Sequence, residues 1–417
     1  MLRLVVMMAA AAFTVAGAER NGWLGSMQVF PTDNWWNQDI SQAPVDARSA
    51  QFIAFINNGG SRRLHPDFGG HRSPGSVDIY GFPYVVVGAD QPKRAVEFYY
   101  AEESDGVDRA SGRGVPFYPI PDEALAQPYW IEGGAPGYAN PGGDRHMLII
   151  DRDNRHLYEL FDLRWNGSQW TAGSGAFFDL NSNARRPDTW TSADAAGLAI
   201  FPGLVRYDEV MSGDEIRHAF RVTVRSTNGY VWPASHRAGS NAEALPMGAR
   251  LRLKASKDLS GYPPYLQRIF RAMQRYGLIV ADNGSDMYIS GAFDPRWNND
   301  QLNPAFRSLN ANDFEVVQLG WRGGAVSPCS LPGTPSPFTF SQSGAFVVLA
   351  WAAAAGAESY TIEVGSASGW SNLLVHNVGA TTTLSAMAPP GRYYARMRAQ
   401  SACGAGQASN EIVVTIQ

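Results

Sequence analysis

The chain is poor in the signals that usually announce a chemistry. Across 417 residues there is no P-loop, no G-x-S-x-G elbow, no H-E-x-x-H and no C-x-x-C. Those absences remove the sequence-legible nucleotide, serine-hydrolase, zinc-protease and dithiol classes. Charged residues make up 17%, the formal net charge is −4, and no basic stripe is visible, which argues against nucleic acid as a partner. After the N-terminus no apolar stretch approaches the length of a bilayer span, so no transmembrane helix is expected. No internal repeat is present. Glycine (43), proline (26), tryptophan (12) and tyrosine (17) are plentiful. The first two supply turns, and the rings supply core or surfaces for stacking on sugars.

Residues 1–18 read as an export signal. Arg3 gives a positive n-region, Leu4 to Val15 a short apolar run, and Ala16-Gly17-Ala18 an A-x-A cleavage site. A secreted or periplasmic location follows. Residues 19–320 then form one β-rich domain. Apolar and β-branched runs at Tyr84 to Val87, Ala95 to Tyr100, Met147 to Asp151, His156 to Trp165, Ala219 to Val224, Arg250 to Lys254 and Asp313 to Leu319 are bounded by turn residues. Leu278 to Ala281 and Met287 to Ser290 flank Asn283-Gly284 and read as a hairpin. A short helix is placed at Arg48 to Asn57. A second follows Pro263-Pro264, with Leu266, Ile269, Phe270 and Met273 at helical spacing and Gly277 as its stop.

Gly320 to Pro337 is a Gly/Pro/Ser-rich stretch, taken as a linker over 321–337. In 338–417 the residues Leu349–Trp351, Ala357–Val364, Leu384, Gly391–Ala399 and Ser409–Val414 fall at β-strand spacing. This segment resembles a fibronectin type III module, in which Trp351, Tyr360 and Tyr393 would fill the core between two sheets. The resemblance puts Cys329 and Cys403 at one pole of that module. An oxidising compartment would let them pair, worth about 4.5 kcal/mol by chain entropy at most; the alternative is two free thiols. The expected fold class is mainly β: a large antiparallel β-sandwich or jelly-roll-like domain with one or two helices, then a small fibronectin type III-like sandwich.

Candidate chemistry in the large domain comes from polar clusters. Asp67, Asp144, His146, Asp194 and Asp208 are the catalytic candidates. Asp67 sits in His65-Pro-Asp-Phe-Gly-Gly, where it either works or caps a turn. Asp144 and His146 share one side of a strand entrance, with an Asp–Arg surface pair as the alternative. Asp194 lies among small residues that permit close approach. Asp208-Glu209 is an acidic pair of which a strand would present one member. His65, Trp36, Arg145, His236, Arg296 and Trp297 are candidates for holding substrate. Asp282–Asp286 reads as a plain turn.

Two carboxylates in one cleft would make a glycoside hydrolase acting on a polysaccharide or other extracellular glycan. A fibronectin type III-like module often trails such domains in exported chains, which is an association and not a mechanism. The alternatives are a non-catalytic carbohydrate-binding or adhesion protein, and a lyase in which Arg145, Arg296 or His146 neutralises a uronate. No cofactor is required. A divalent ion at His65, His146 and His236 is a variant without a spacing signature.

Overall fold

A computed structural model of the chain describes residues 17–24, 27–323, 332–371, 373–401 and 404–416. It divides into two compact units: Gly17–Gly22 with Asp33–Gly324, and Trp23–Thr32 with Ala325–Gln417. The architecture is mainly β.

The large unit contains a five-stranded sheet ordered Glu19–Arg20, Tyr84–Val87, Met147–Asp151, His156–Phe161, Ser174–Asp179. Met147–Asp151 is buried at every position because both faces of this sheet are covered. Val85, Val87, Met147, Ile149, Tyr158 and Leu160 face one hydrophobic cluster with Tyr118, Ile131 and Trp170. The turn expected at Arg152 to Arg155 is present, and Arg155 takes a left-handed φ of 56° to close it. The next strand ends at Phe161, earlier than expected, because Asp162 also takes a positive φ of 52°. Its continuation, Arg164–Trp165, instead pairs with Trp170–Ala172 across Asn166-Gly167.

A second, six-stranded sheet runs Phe314–Val316, Arg250–Leu253, Leu278–Asn283, Phe220–Val224, Tyr288–Ser290, His65–Asp67. It corrects two expectations. Leu278–Asn283 and Tyr288–Ser290 are neighbours in sequence but do not form a hairpin. Phe220–Val224 lies between them, parallel to the first and antiparallel to the second. Tyr84–Val87 likewise runs parallel to Met147–Asp151, so both sheets are mixed where antiparallel order was expected. Parallel neighbours need long crossovers, and one includes the helix Pro264–Arg275. That helix buries Leu266, Ile269, Phe270, Ala272 and Met273. Gly277 follows it with φ 76°, and a Cβ there would meet the Leu251 carbonyl at 2.5 Å, so glycine is needed twice over. The first helix, Ser49–Asn57, stops at Asn58 in the left-handed region.

The small unit is a β-sandwich. Phe338–Ser343, Phe346–Trp351 and Thr383–Met387 form one sheet; Leu374–Gly379, Ser359–Gly365, Gly391–Ser401 and Gly404–Ala408 form the other, and Ile412–Ile416 also pairs with Gly391–Ser401. Phe338, Val347, Leu349 and Trp351 meet Tyr360, Ile362, Val364 and Met397 between the sheets. Trp351 and Tyr360 fill the core as expected. Tyr393 packs at its edge, where its hydroxyl donates to the Pro389 carbonyl at 3.0 Å. Cys329 and Cys403 lie outside the described residues.

Candidate functional site

A cluster of charged side chains, brought together from both sheets and the loops beside them, is organised by Arg221, a lone guanidinium in the apolar strand Phe220–Val224. Arg221 is 3% exposed, so its charge must be met by protein groups. Its Nε and Nη2 donate to the two oxygens of Asp194, both at 2.7 Å. Nη2 also reaches Asp282 at 2.9 Å, and Nη1 donates to Ser290 at 2.8 Å. Burial opposes the charge, but Asp194 and then Asp282 outweigh it and hold this guanidinium above its ordinary pKa.

His146, at the entrance to Met147–Asp151, forms the second centre. Its Nδ1 is 2.6 Å from Glu132 Oε2, and its Nε2 is 3.0 Å from the Ala193 carbonyl. Both ring nitrogens face acceptors, so the ring is an imidazolium that donates twice. Burial alone would lower its pKa, but Glu132 overrides burial and raises it to about 9. In return His146 holds the Glu132 carboxyl below its ordinary value against burial. No hydrogen bond to Glu132 Oε1 occurs among the described residues.

Asp67 behaves differently. It ends the edge strand His65–Asp67, paired in parallel with Tyr288–Ser290. It is partly buried, and its carboxylate accepts no hydrogen bond among the described residues. Burial pushes its pKa up; Arg221 pulls it down, and the Glu132 charge pushes it up again. Glu159, fully buried, completes the set: it accepts from the backbone N–H groups of Ile200 and Phe201 at 2.8 Å, and burial raises its pKa to about 7. Five carboxylates (Asp67, Glu132, Glu159, Asp194, Asp282) thus face two buried cations, Arg221 and His146. Burial drives Asp67 and Glu159 toward their protonated forms, and the neighbouring carboxylates Glu132 and Asp194 add to it.

The structure brings Asp67, His146 and Asp194 into this cluster and leaves the other candidates outside it. Asp144 is exposed and joins no ion pair among the described residues. Asp208 lies in a short helix, Tyr207–Met211, not a strand, and pairs with Arg296 at 2.7 Å. Its neighbour Glu209 takes Arg206 and His218, which hold it down to about 2 despite burial.

Several expected ligand-holding groups are scaffold. Trp36 is fully buried and stacked into the space beside Gly203. Arg145 is fully buried and pins the loop ahead of it by donating to the Glu132, Ala135 and Pro136 carbonyls. Trp297 is buried against Phe68 and Tyr207. Arg296 is consumed by Asp294 and Asp208 and lies over the Tyr207 ring. A lyase would need one of these arginines free. The small residues near Asp194 do permit close approach, but of the protein itself: a Cβ at Gly197 would overlap Ser235 Oγ.

His65 stacks on Tyr288 at 4.3 Å, and burial lowers its pKa. His236 meets the Ala195 carbonyl at 2.8 Å. The three histidines proposed for a metal therefore have separate partners, and no three of His, Cys, Asp and Glu among the described residues are grouped to hold an ion.

Glu132, Arg221 and Glu159 were missed from sequence, and Asp282, read there as part of a plain turn, lies in the strand Leu278–Asn283. Arg221 and Glu159 had a usable signal: each is a lone charge in an otherwise apolar strand, where burial demands a partner.

No family model matches the chain, and no curated protein does. Solved structures similar to part of it are fibronectin type III domains. A Fn3-like protein from Clostridium thermocellum is 25% identical over 21% of this chain and 96% of its own, with a TM-score of 0.19. The FN5 domain of Drosophila Lar is 19% identical over 21% of this chain and 97% of its own, TM-score 0.18. The sixth fibronectin type III domain of a human protein is 22% identical over 22% and 90%, TM-score 0.19. The class that fold and site define is a mainly β protein of two units, the larger carrying a buried carboxylate-rich cluster. No helix among the described residues is long and apolar enough to cross a membrane.

Proposed function

We propose that this is an exported carbohydrate-active hydrolase in which Asp67 gives the proton and Glu132 stays ionised. The observation that carries the reading is that the two carboxyls are held differently: Glu132 Oε2 lies 2.6 Å from His146 Nδ1, while the Asp67 carboxylate accepts no hydrogen bond among the described residues. Burial raises Asp67, while Glu132, electrostatically coupled to it, is held down by His146. Glycosidic cleavage asks for that asymmetry: one carboxylic acid protonates the leaving oxygen, and one carboxylate serves as nucleophile or base. Asp194 is unsuited to either part, since both its oxygens are taken by Arg221. His146 is unsuited to be a base, since both its nitrogens already donate. Its role is to fix Glu132 through Oε2, leaving Oε1 for the chemistry. The Arg3 n-region, the apolar run to Val15 and the Ala16-Gly17-Ala18 site support export.

The test is incubation of purified mature protein with a panel of polysaccharides, reading new reducing ends. Activity is expected on at least one polymer. It should fall by about 10²–10⁴-fold in Asp67→Asn and in Glu132→Gln, and decline above the raised Asp67 value and below the depressed Glu132 value. An inactive native protein, or full activity in Asp67→Asn, refutes the assignment.

A further inference from the structure

We propose that the surface cleft beside Tyr99 and Tyr100 is a saccharide-binding site, distinct from the carboxylate cluster and selective for neutral sugars. Tyr99 is 80% exposed and Tyr100 43%. Two consecutive rings left in water forgo the gain of burial, so their presentation needs a reason. Their backbone is fixed by the sheet. The strand Val96–Phe98 pairs in parallel with Trp170–Ala172, and the pairing continues past its end: the Tyr99 N–H donates to the Ala172 carbonyl at 3.0 Å, and the Tyr100 N–H to the Gly173 carbonyl at 2.9 Å. The rings meet edge to face, 4.7 Å between centroids and 89° between planes, which leaves a free ring face for a ligand. Neither hydroxyl hydrogen-bonds to a described residue.

The cleft measures about 490 Å³, within the range of small-ligand sites. Phe98 and Phe161 give it apolar wall; Glu97 and Asp162 give it acceptors. Its cation, Arg164, is already engaged by Asp162 and by the Pro141 and Gly143 carbonyls. A sugar answers each of these features: its C–H face stacks on an aromatic ring, and its hydroxyls donate to the carboxylates. An anionic ligand would meet two carboxylates, and the arginines beside them are engaged, Arg164 by Asp162 and Arg113 by Glu97 at 3.5 Å, so uronates and phosphates are disfavoured. Phe161 also packs against His146 at 5.3 Å between centroids, so the cleft lies one ring away from the Glu132–His146 pair. A chain bound here is held near that pair, yet binding requires none of its groups.

The experiment is affinity electrophoresis of the full mature chain in gels containing barley β-glucan, galactomannan, arabinoxylan or polygalacturonate. Retardation is expected in at least one neutral polymer and not in polygalacturonate. Tyr99→Ala should weaken it about tenfold, while Tyr99→Phe, which keeps the ring, should stay close to native. Asp67→Asn should be retarded like the native protein, which separates this site from the hydrolytic reading. The proposal fails if no neutral polymer retards the chain, if polygalacturonate is preferred, if Tyr99→Ala binds like the native protein, or if Asp67→Asn loses the retardation.

Discussion

Each unit buries a carboxylate against arginine, and the two do it in opposite ways. In the small unit Glu363, 3% exposed, takes Nε–H donors from both Arg396 and Arg398. The arginines are two apart on one strand, so they share a face, and Arg396 stands directly across from Glu363 in the register. Two cations meet one acid, and the arrangement is local to one pair of strands. In the large unit Asp194, Arg221, Asp282, Ser290, Glu132, His146 and Asp67 come from distant parts of the chain, and acids outnumber cations. The comparison separates a local pair, in which cations outnumber the acid, from an assembled cluster in which acids outnumber the cations. Excess positive charge keeps every acid ionised and inert. In the large unit burial pushes Asp67 and Glu159 upward, the latter to about 7, with neighbouring acids adding to the shift.

Breaking the central cation of each arrangement gives the largest contrast. Arg221→Met leaves Asp194 buried without its partner, and a loss of about 3–5 kcal/mol is expected, seen as faster amide exchange across Phe220–Val224 and Leu278–Asn283. Arg396→Ala leaves Arg398 on Glu363, and its cost should stay at about 1–2 kcal/mol. Equal losses would erase the distinction.

The Glu132–His146 pair comes next, with an effect that depends on pH. His146 is raised, so its contribution is complete below the ordinary histidine value of about 6.5 and disappears as pH climbs through about 9. Glu132 is depressed, so its contribution is complete above the ordinary value of about 4.3 and disappears as pH falls through its lowered one. Thermal melts should therefore place the largest deficit of His146→Gln, about 2–3 kcal/mol, near pH 5–6, with a smaller deficit on either side. A deficit that is flat with pH would show the pair to be neutral.

Asp67→Asn is the smallest change and has the opposite sign. A raised native pKa means that stability is greatest below the unfolded value of about 3.9 and is lost as pH rises through the native one. Asparagine cannot ionise, so the variant should be more stable at neutral pH, by at most about 1 kcal/mol since the site is partly exposed, and equal to native in acid. A destabilised variant would mean that the Asp67 charge supports the fold.

Much of the scaffold was legible, for reasons visible in particular residues. The stripe Leu266, Ile269, Phe270, Met273 could only be a buried helix face, and the Gly277 stop followed from its backbone freedom. Trp351 and Tyr360 occupied the core that the fibronectin type III resemblance implied. The Leu278–Ser290 hairpin was misread because an Asn-Gly turn carries no information about a third strand entering between the two arms. The site was half legible. Asp67 and His146 stood out as polar groups in strand or turn contexts, and Asp194 as an acid among small residues. Trp36 and Trp297 were taken for sugar platforms because an indole has the same letter in a core as on a surface, and the exposed pair Tyr99-Tyr100 lay unnoticed at the end of an expected strand.

Sequence alone determined the mainly β class, the principal helices and the small sandwich, because side-chain periodicity and turn chemistry act over a few neighbouring residues. Tertiary structure decided which acids share a field. Whether a carboxyl keeps its proton depends on burial and on charges arriving from distant segments, and only the assembled sheets place Arg221 against Asp194, His146 against Glu132, and leave Asp67 with no hydrogen bond among the described residues.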